Sequence, residues 1–291
     1  MVYTSKMEYQ ETINNLFAPL NESKAVYPPY PLYHKGPYLE EKFVQHGKKE
    51  GDRYLIPVFW TNLYKEHKNE LVQNLINKLD PTKKYYCVCT HDDAPLETLP
   101  SDTLVFRVGT RHQLRGSTVA PIQIPCTASP IPPRPVVDKD IPVSFIGSYT
   151  HPIREQMLEH VNKDYVVMMK PQWTEVIPEE HFKIFHEICS RSKFILCPRG
   201  YAATSVRMYE AIQYGAVPVY ISDEFITPWD DDIDWDKLVI KVPHDKLPDL
   251  SFLIDCYSEK RLDMVEYGKS IYNRLLSMHG VFDEVLRRAA L

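Results

Sequence analysis

Residues 198–215, PRGYAATSVRMYEAIQYG, gather the side chains best suited to chemistry. An apolar run, KFILC (193–197), stops on Pro198-Arg199-Gly200, crosses small residues, and enters a helix-forming segment that carries Arg207 and Glu210. Open parallel sheets bind ligands at such strand-to-helix junctions, because the helix N-terminus offers amide donors and the positive end of its dipole. Thr204 or Ser205 is the expected N-cap. Arg199 could add a charge-assisted hydrogen bond of ~1.5 to 3 kcal/mol, against ~0.3 to 1 kcal/mol from the dipole, so the arginine would dominate. Glu210 is expected about two turns into the helix, with Val206, Tyr209 and Ile212 on the buried side. There it could accept two hydroxyls of a ribose, as acidic residues do in dinucleotide folds. One strand-turn-helix would then hold both the phosphates and the sugar of a nucleotide. The same residues admit a plainer reading, with Arg199 and Arg207 solvated and Glu210 in an intrahelical ion pair.

Three further clusters invite chemistry. Thr90-His91-Asp92-Asp93 follows the apolar run KYYCVC and places three titratable groups at a strand end. That position suits a general base, with Asp92 favoured and Asp93 and His91 as substitutes, although an Asp-rich turn has its own conformational reason to exist. RVGTRHQLRG (107–116) reads either as a solvated basic loop or as a grip, through Arg111 and Arg115, for an acidic acceptor or a diphosphate. WDDDIDW (229–235) reads as a solvated acidic turn with Trp235 packed beneath rather than as a metal site. Gly268-Lys269-Ser270 is no phosphate loop, since position 263 is Asp and no strand precedes it. No G-x-G-x-x-G or H-E-x-x-H occurs.

Alternating elements must position these groups. Residues 53–60 (RYLIPVFW) are expected as a buried strand and 65–79 as a helix burying Leu71, Val72, Leu75, Ile76 and Leu79. Strands over KYYCVC and 103–109 follow. The run PIQIPCTASPIPPRPVV (121–137) cannot hold an interior strand or helix, because proline lacks an amide donor and restrains its predecessor. It is expected as a semi-rigid linker. Strands at 143–148, 165–169, 193–197, 217–221 and 238–242 then alternate with helices at 152–161, 178–190 and 204–214, and a charged helix from about 258 closes the chain. Continuous apolar strands favour parallel sheets covered on both faces. The sequence thus predicts α/β architecture in two domains, over 1–135 and 136–291. The last helix is expected to pack back on the first domain.

Composition narrows the class. The 291 residues carry a formal charge of −5, which gives no global basic field for nucleic acid. The N-terminus lacks the basic and apolar regions of a signal peptide, and no run approaches ~18 apolar residues, so a soluble, cytoplasmic chain without a membrane anchor is expected. Six scattered cysteines suit reduced thiols, with Cys87 and Cys89 as core residues. The sequon at Asn21 is then expected to stay unmodified.

The stretch SKFILCPRGYAATSVRMYEAIQYGAVPVYISDEFITPWDDDIDW resembles the donor-binding signature of exostosin-like glycosyltransferases, family 47. Its ordered parts are Pro-Arg-Gly, Ser-x-Arg, Glu-Ala-Ile-x-x-Gly, x-Pro-Val and Ile-Asp-Trp. Upstream, VSFIGSYTHPIR is similar to the family's first donor-domain strand. The resemblance covers about 140–242, and its compact style is similar to exostosin-like proteins of large DNA viruses of algae, which would place the protein in a host cytoplasm. It implies a GT-B fold of two Rossmann-like domains facing each other across a cleft, and inverting transfer from a UDP-sugar to a glycan acceptor hydroxyl without an obligatory metal or cofactor. Arg199, Ser205 and Glu210 map to donor contacts, with Gly147, Ser148 and Arg154 beside the diphosphate. Xylose is the first expectation among several donor sugars. The alternative is a nucleotide-sugar-binding protein without turnover.

Overall fold

The computed structural model describes residues 6–21, 38–92, 95–109, 113–131, 137–174 and 176–291. They divide into two compact units. The first holds 6–21, 38–125 and Val281–Leu291, and the second runs from Cys126 to Gly280. The division falls inside the proline-rich stretch.

In the first unit α1 (Lys6–Phe17), α2 (Leu39–His46), α3 (Trp60–Lys65) and α4 (Asn69–Ile76) accompany four strands. These are β1 (Arg53–Leu55), β2 (Lys84–Cys89), β3 (Thr103–Arg107) and the short edge strand β4 (Ile122–Gln123), all parallel in the order β1-β2-β3-β4. The apolar run 53–60 is not one strand. Pairing stops at Leu55, Pro57 offers no amide, and Trp60 opens α3. The helix expected over 65–79 is likewise broken, because His67 turns the chain at φ 54 between α3 and α4. Leu71, expected on the buried face, is 47% exposed, while Val72, Ile76 and Leu79 join the core. Cys87 and Cys89 are buried free thiols, as core strand residues should be.

The second unit alternates β5 (Ile141–Ser148), α5 (Pro152–Leu158), β6 (Val166–Lys170), α6 (Glu179–Arg191), β7 (Ser192–Pro198), α7 (Val206–Gln213), β8 (Val217–Ser222) and β9 (Ile240–Pro243). Then come α8 (Leu250–Asp255), α9 (Arg261–Ile271), a π turn at Tyr272–Leu276, and α10 (Met278–Ala289). From Val281 onward α10 belongs to the first unit, where Phe282 packs on Phe43 with ring centroids 4.6 Å apart. The five strands are parallel in the order β6-β5-β7-β8-β9. The chain therefore winds outward in opposite directions from β5 and β7, and a switch point opens between their carboxyl ends. α7 stops at Gly215, whose φ of 65 suits a residue without Cβ, and Gly215 N and Ala216 N cap the carbonyls of Ile212 and Ala211.

Two α/β units with parallel sheets are the GT-B composition expected from the sequence. No helix among the described residues is long and apolar enough to cross a membrane.

Candidate anion site at the switch point of the second sheet

β5 ends on Gly147 and Ser148, and α5 begins at Pro152 with His151 as its N-cap, Nδ1 accepting from Ile153 N at 3.3 Å. Arg154, in the first turn of α5, then reaches across the switch point. Its Nη1 donates to Ser148 O at 2.7 Å, Nε to Arg199 O at 2.9 Å and Nη2 to Pro198 O at 3.2 Å. One planar guanidinium thus ties the end of β5 to the end of β7, which a lysine could not do with a point charge. Gly147 makes room for this arrangement: a Cβ there would meet Phe145 Cζ at 2.6 Å, and the Phe145 ring lies 5.8 Å from the Arg154 guanidinium carbon. Arg154 has no carboxylate partner among the described residues. Burial, followed by repulsion from Arg207, lowers its pKa to about 10.

The Pro198-Arg199-Gly200 turn differs from the expected loop of free amides. Arg199 N donates to Ile221 O at 2.9 Å and Gly200 N to Thr204 O at 3.0 Å, so both amides are engaged. The Arg199 side chain is also engaged, Nη1 with Asp223 Oδ1 at 2.5 Å and Nη2 with Tyr201 O at 3.0 Å. Gly200 leaves open space, since a Cβ there would stand 3.6 Å from Arg154 Nη2 and 3.8 Å from Thr150 Oγ1, both ordinary contacts. That Thr150 hydroxyl is buried without a hydrogen-bond partner.

Ser205 takes the N-cap position of α7 in extended backbone, but its hydroxyl makes no capping bond, and Thr204 contributes its carbonyl rather than its side chain. Because α7 begins only at Val206, Glu210 stands just over one turn in, not two. Val206, expected inside, is exposed, and the buried face is Met208, Tyr209, Ala211 and Ile212. Glu210 pairs with Arg207 at 3.0 Å, as the plainer reading held, yet neither side chain is solvated, at 16% and 18% exposure. The Arg207 guanidinium lies over the Phe185 ring at 4.1 Å. Burial disfavours its charge, but Glu210 and Cys189 outweigh this and hold its pKa above the ordinary arginine value.

The carboxyl end of this sheet therefore assembles Arg154, Arg199 and Arg207 against two carboxylates, Asp223 and Glu210. His151 stands among them, its pKa lowered by burial first and then by Arg199. His151 and Asp223 were not singled out from sequence. Their signals are positional: a histidine just before the helix-opening proline, and an acid just after the neighbouring strand β8.

The turn after β2 is organised differently. Glu40, in the first turn of α2 and fully buried, receives Thr61 N at 2.9 Å, Thr61 Oγ1 at 3.1 Å, Thr90 Oγ1 at 2.9 Å and Thr90 N at 2.5 Å. It fixes the residue before His91, whose ring stands 4.6 Å from that of Tyr64. Desolvation raises the Glu40 pKa despite those four hydrogen bonds. Glu97 is buried nearby, accepts from Tyr64 Oη at 3.0 Å, and is raised for the same first reason. Asp92 lies in this turn; Asp93 and Arg111 lie outside the described residues. Arg107, expected in a solvated loop, is buried at the end of β3, and Arg115 contributes its carbonyl to Leu99 N at 2.9 Å. In the acidic turn Trp235 is buried, its Nε1 donating to Pro228 O at 3.0 Å, while Asp234 and Asp236 pair with Lys237 and Lys241 at the surface.

A parallel sheet with three guanidinium groups around its switch point, one of them lacking a carboxylate among the described residues, defines an α/β protein with excess half-buried positive charge where such folds take their ligands. The chain belongs to the exostosin GT47 family: residues 103–256, more than half of its length, match the Exostosin GT47 domain. It is 35% identical over 78 residues to the Probable glucuronosyltransferase GUT1 of Oryza sativa subsp. japonica and 33% identical over 78 residues to the Probable beta-1,4-xylosyltransferase IRX10 of Arabidopsis thaliana. Each match covers 27% of this chain and 19% of the relative, so the aligned stretch spans about a fifth of the relatives' own length. Among solved structures, AviGT4, a glycosyltransferase of avilamycin A biosynthesis, is 13% identical with a TM-score of 0.39 over 76% of this chain and 77% of that one. The pneumococcal O-GlcNAc transferase GtfA, in complex with UDP and GlcNAc, is 13% identical at TM-score 0.39 over 74% and 54% of the two chains.

Proposed function

We propose that this chain is a glycosyltransferase that moves a sugar, xylose or glucuronic acid, from a UDP-sugar to a hydroxyl of a glycan with inversion at the anomeric carbon. One observation carries the reading: the guanidinium of Arg154, half-buried and without a carboxylate among the described residues, bridges the switch-point crevice in company with Arg199 and Arg207. A diphosphate docked there meets uncompensated positive charge, and the same charge stabilises the negative charge that grows on the departing diphosphate. Membership of the exostosin GT47 family and relatives named as glucuronosyl- and xylosyltransferases support the sugar class.

The geometry refines the roles expected from the motif. Arg154 acts mainly by shaping the turn, with its charge felt at the crevice; Arg199 is the mobile phosphate contact; Arg207 and Glu210 support the start of α7 as a pair. Thr150 adds a hydroxyl donor and His151 a neutral Nε2–H, since its Nδ1 accepts from the backbone. Pro198 and Gly200 set the path of the turn, and Gly147, Ser148, Thr204 and Ser205 border it. A base for the acceptor hydroxyl is proposed among His91, Asp92 and Asp93, where Glu40 pins the preceding residue.

Calorimetric titration with UDP and GDP, followed by transfer assays from UDP-xylose and UDP-glucuronate to xylan oligosaccharides, tests this. UDP should bind, and Arg199→Ala should weaken it about tenfold or more while leaving the melting temperature nearly unchanged, as loss of one charge-assisted phosphate contact predicts. Failure of both nucleotides to bind would overturn the reading. Binding with no transfer to any acceptor would leave a nucleotide-sugar-binding protein.

A further inference from the structure

The arginine that the Pro-Arg-Gly motif presents is occupied. Arg199 Nη1 is hydrogen-bonded to Asp223 Oδ1, and Nη2 to its own loop at Tyr201 O. The Arg199 side chain is 13% exposed, while the Asp223 carboxylate is 43% exposed and lies at the carboxyl end of the next strand. The backbones on both sides are fixed. Arg199 N is held by Ile221 O in the β7–β8 ladder. Beyond it, Ser222 Oγ donates to Glu224 O and accepts from Glu224 N, which closes the turn around Asp223. Only the two side chains are left to move, and the more exposed of them is the acid.

We propose that Asp223 is an exchangeable occupant of the anion seat on Arg199, which a diphosphate entering the switch-point crevice must displace. The inference rests on the donor-site reading above and deepens it. Carboxylate and phosphate oxygens compete for the same edge of one guanidinium, because both accept from it in the same planar geometry. Arg154 is fixed rather than exchangeable: Nε, Nη1 and Nη2 donate to Arg199 O, Ser148 O and Pro198 O, which leaves two of its five N–H groups to face a docked anion without displacing any partner. Arg207 is held in an ion pair with Glu210 and over the Phe185 ring, although its Nε and Nη1 make no hydrogen bond among the described residues. Arg199 is thus the cation whose present side-chain partner an anion can replace, and Asp223 sets its threshold: weak anions leave the pair closed, and a ligand with two linked phosphates opens it. A carboxylate so released stands at the rim of the site, able to accept from hydroxyls of the bound sugar.

The test is the affinity of full-length Asp223→Asn for UDP and, separately, for inorganic pyrophosphate, measured by calorimetry beside wild type and Asp223→Glu. Asn keeps the shape and removes the competing charge, so both probes should bind about two- to fivefold more tightly, the size expected for an ion pair with one half-exposed member. Asp223→Glu should return affinity toward wild type. If Asp223 merely aligned Arg199, Asp223→Asn would bind both probes equally or more weakly, and the proposal would fall while UDP binding by wild type still upheld the donor site. If wild type bound pyrophosphate but not UDP, the nucleotide reading would fail and the exchange would still be judged on pyrophosphate. If wild type bound neither probe and Asp223→Asn bound neither, Arg199 would be no anion seat and the proposal would be overturned. Circular dichroism melting of each variant without ligand separates these outcomes from misfolding.

Discussion

The two sheets of this chain end in opposite chemistry. At the carboxyl end of the second sheet guanidinium groups outnumber carboxylates: Arg154 and Arg207 are half-buried, Arg207 paired with Glu210, and Arg199 is paired with the more exposed Asp223. At the corresponding end of the first sheet two buried carboxylates, Glu40 and Glu97, whose pKa values desolvation raises, stand with one buried guanidinium, Arg107 at the end of β3. The backbone plan is the same, parallel strands feeding helices, so the plan does not set the sign. What sets it is which side chain the first turn of a flanking helix turns inward: Arg154 from α5, Glu40 from α2. A parallel sheet supplies a crevice, and side chains from the adjoining helices and turns set the balance of charge in it.

Substitutions can break this contrast, and the largest effect should come from Arg154. Arg154→Met leaves three carbonyls without their donor, which should destabilise the second unit by at least about 3 kcal/mol and reduce UDP affinity more than about a hundredfold. Arg154→Lys should recover only part of either, since an ammonium cannot span two strands in one plane. Denaturant melts and calorimetry on the same samples would show it, and an unaffected UDP affinity in either variant would separate the charge from the site.

Next in size is the Arg207–Glu210 pair. Glu210→Ala strands a buried guanidinium and should cost about 3 kcal/mol, so its loss of ligand binding reports on folding as much as on contact. The double change Arg207→Met with Glu210→Met should recover most of that stability, as apolar replacements of buried pairs do. UDP binding that returned with stability would assign the pair a supporting role only; binding that stayed lost would place it against the ligand.

The smallest effect sharpens the first sheet's side of the contrast. Glu40 binds its proton more tightly folded than unfolded, so its contribution to stability is complete below the ordinary glutamate value of about 4.3 and is lost as pH rises through the raised folded value. The melting temperature of wild type minus that of Glu40→Gln should therefore grow as pH falls from about 7 to about 4. Asp223 runs the other way. Desolvation works against its charge, but the Arg199 hydrogen bond and charge hold its pKa below the ordinary aspartate value, so its contribution is present above about 3.9 and lost in acid. Parallel pH slopes for Glu40→Gln and Asp223→Asn would remove the contrast.

Legibility from sequence followed locality. The β7–α7 junction could be read because its parts lie within one stretch: an apolar strand, a Pro-Arg-Gly stop and a helix ended by Gly215. Its amides cannot be read as engaged, because their acceptors are the carbonyls of Ile221, on the next strand, and Thr204, which the sequence offers with Ser205 as a side-chain cap. Arg154 stood out by resemblance, but its task depends on carbonyls at 148, 198 and 199, brought together only when β5 and β7 pair. Glu40 was invisible in LEEKF, where an acid reads as a solvated helix residue until Thr61 and Thr90 fold around it. The strand over 53–60 was overread because apolar residues on both sides of Pro57 look alike, while the missing amide decides where pairing ends.

The placement of α10 sets an order on biosynthesis. Among the described residues the second unit lies between Cys126 and Gly280, whereas the first also takes Val281–Leu291, with Phe282 packed on Phe43. A ribosome working from the amino end completes every residue of the arginine-bearing sheet before it supplies the helix that finishes the acidic one. The nascent first unit must therefore wait, its Phe43 surface uncovered by Phe282, until residues 281–291 emerge from the exit tunnel.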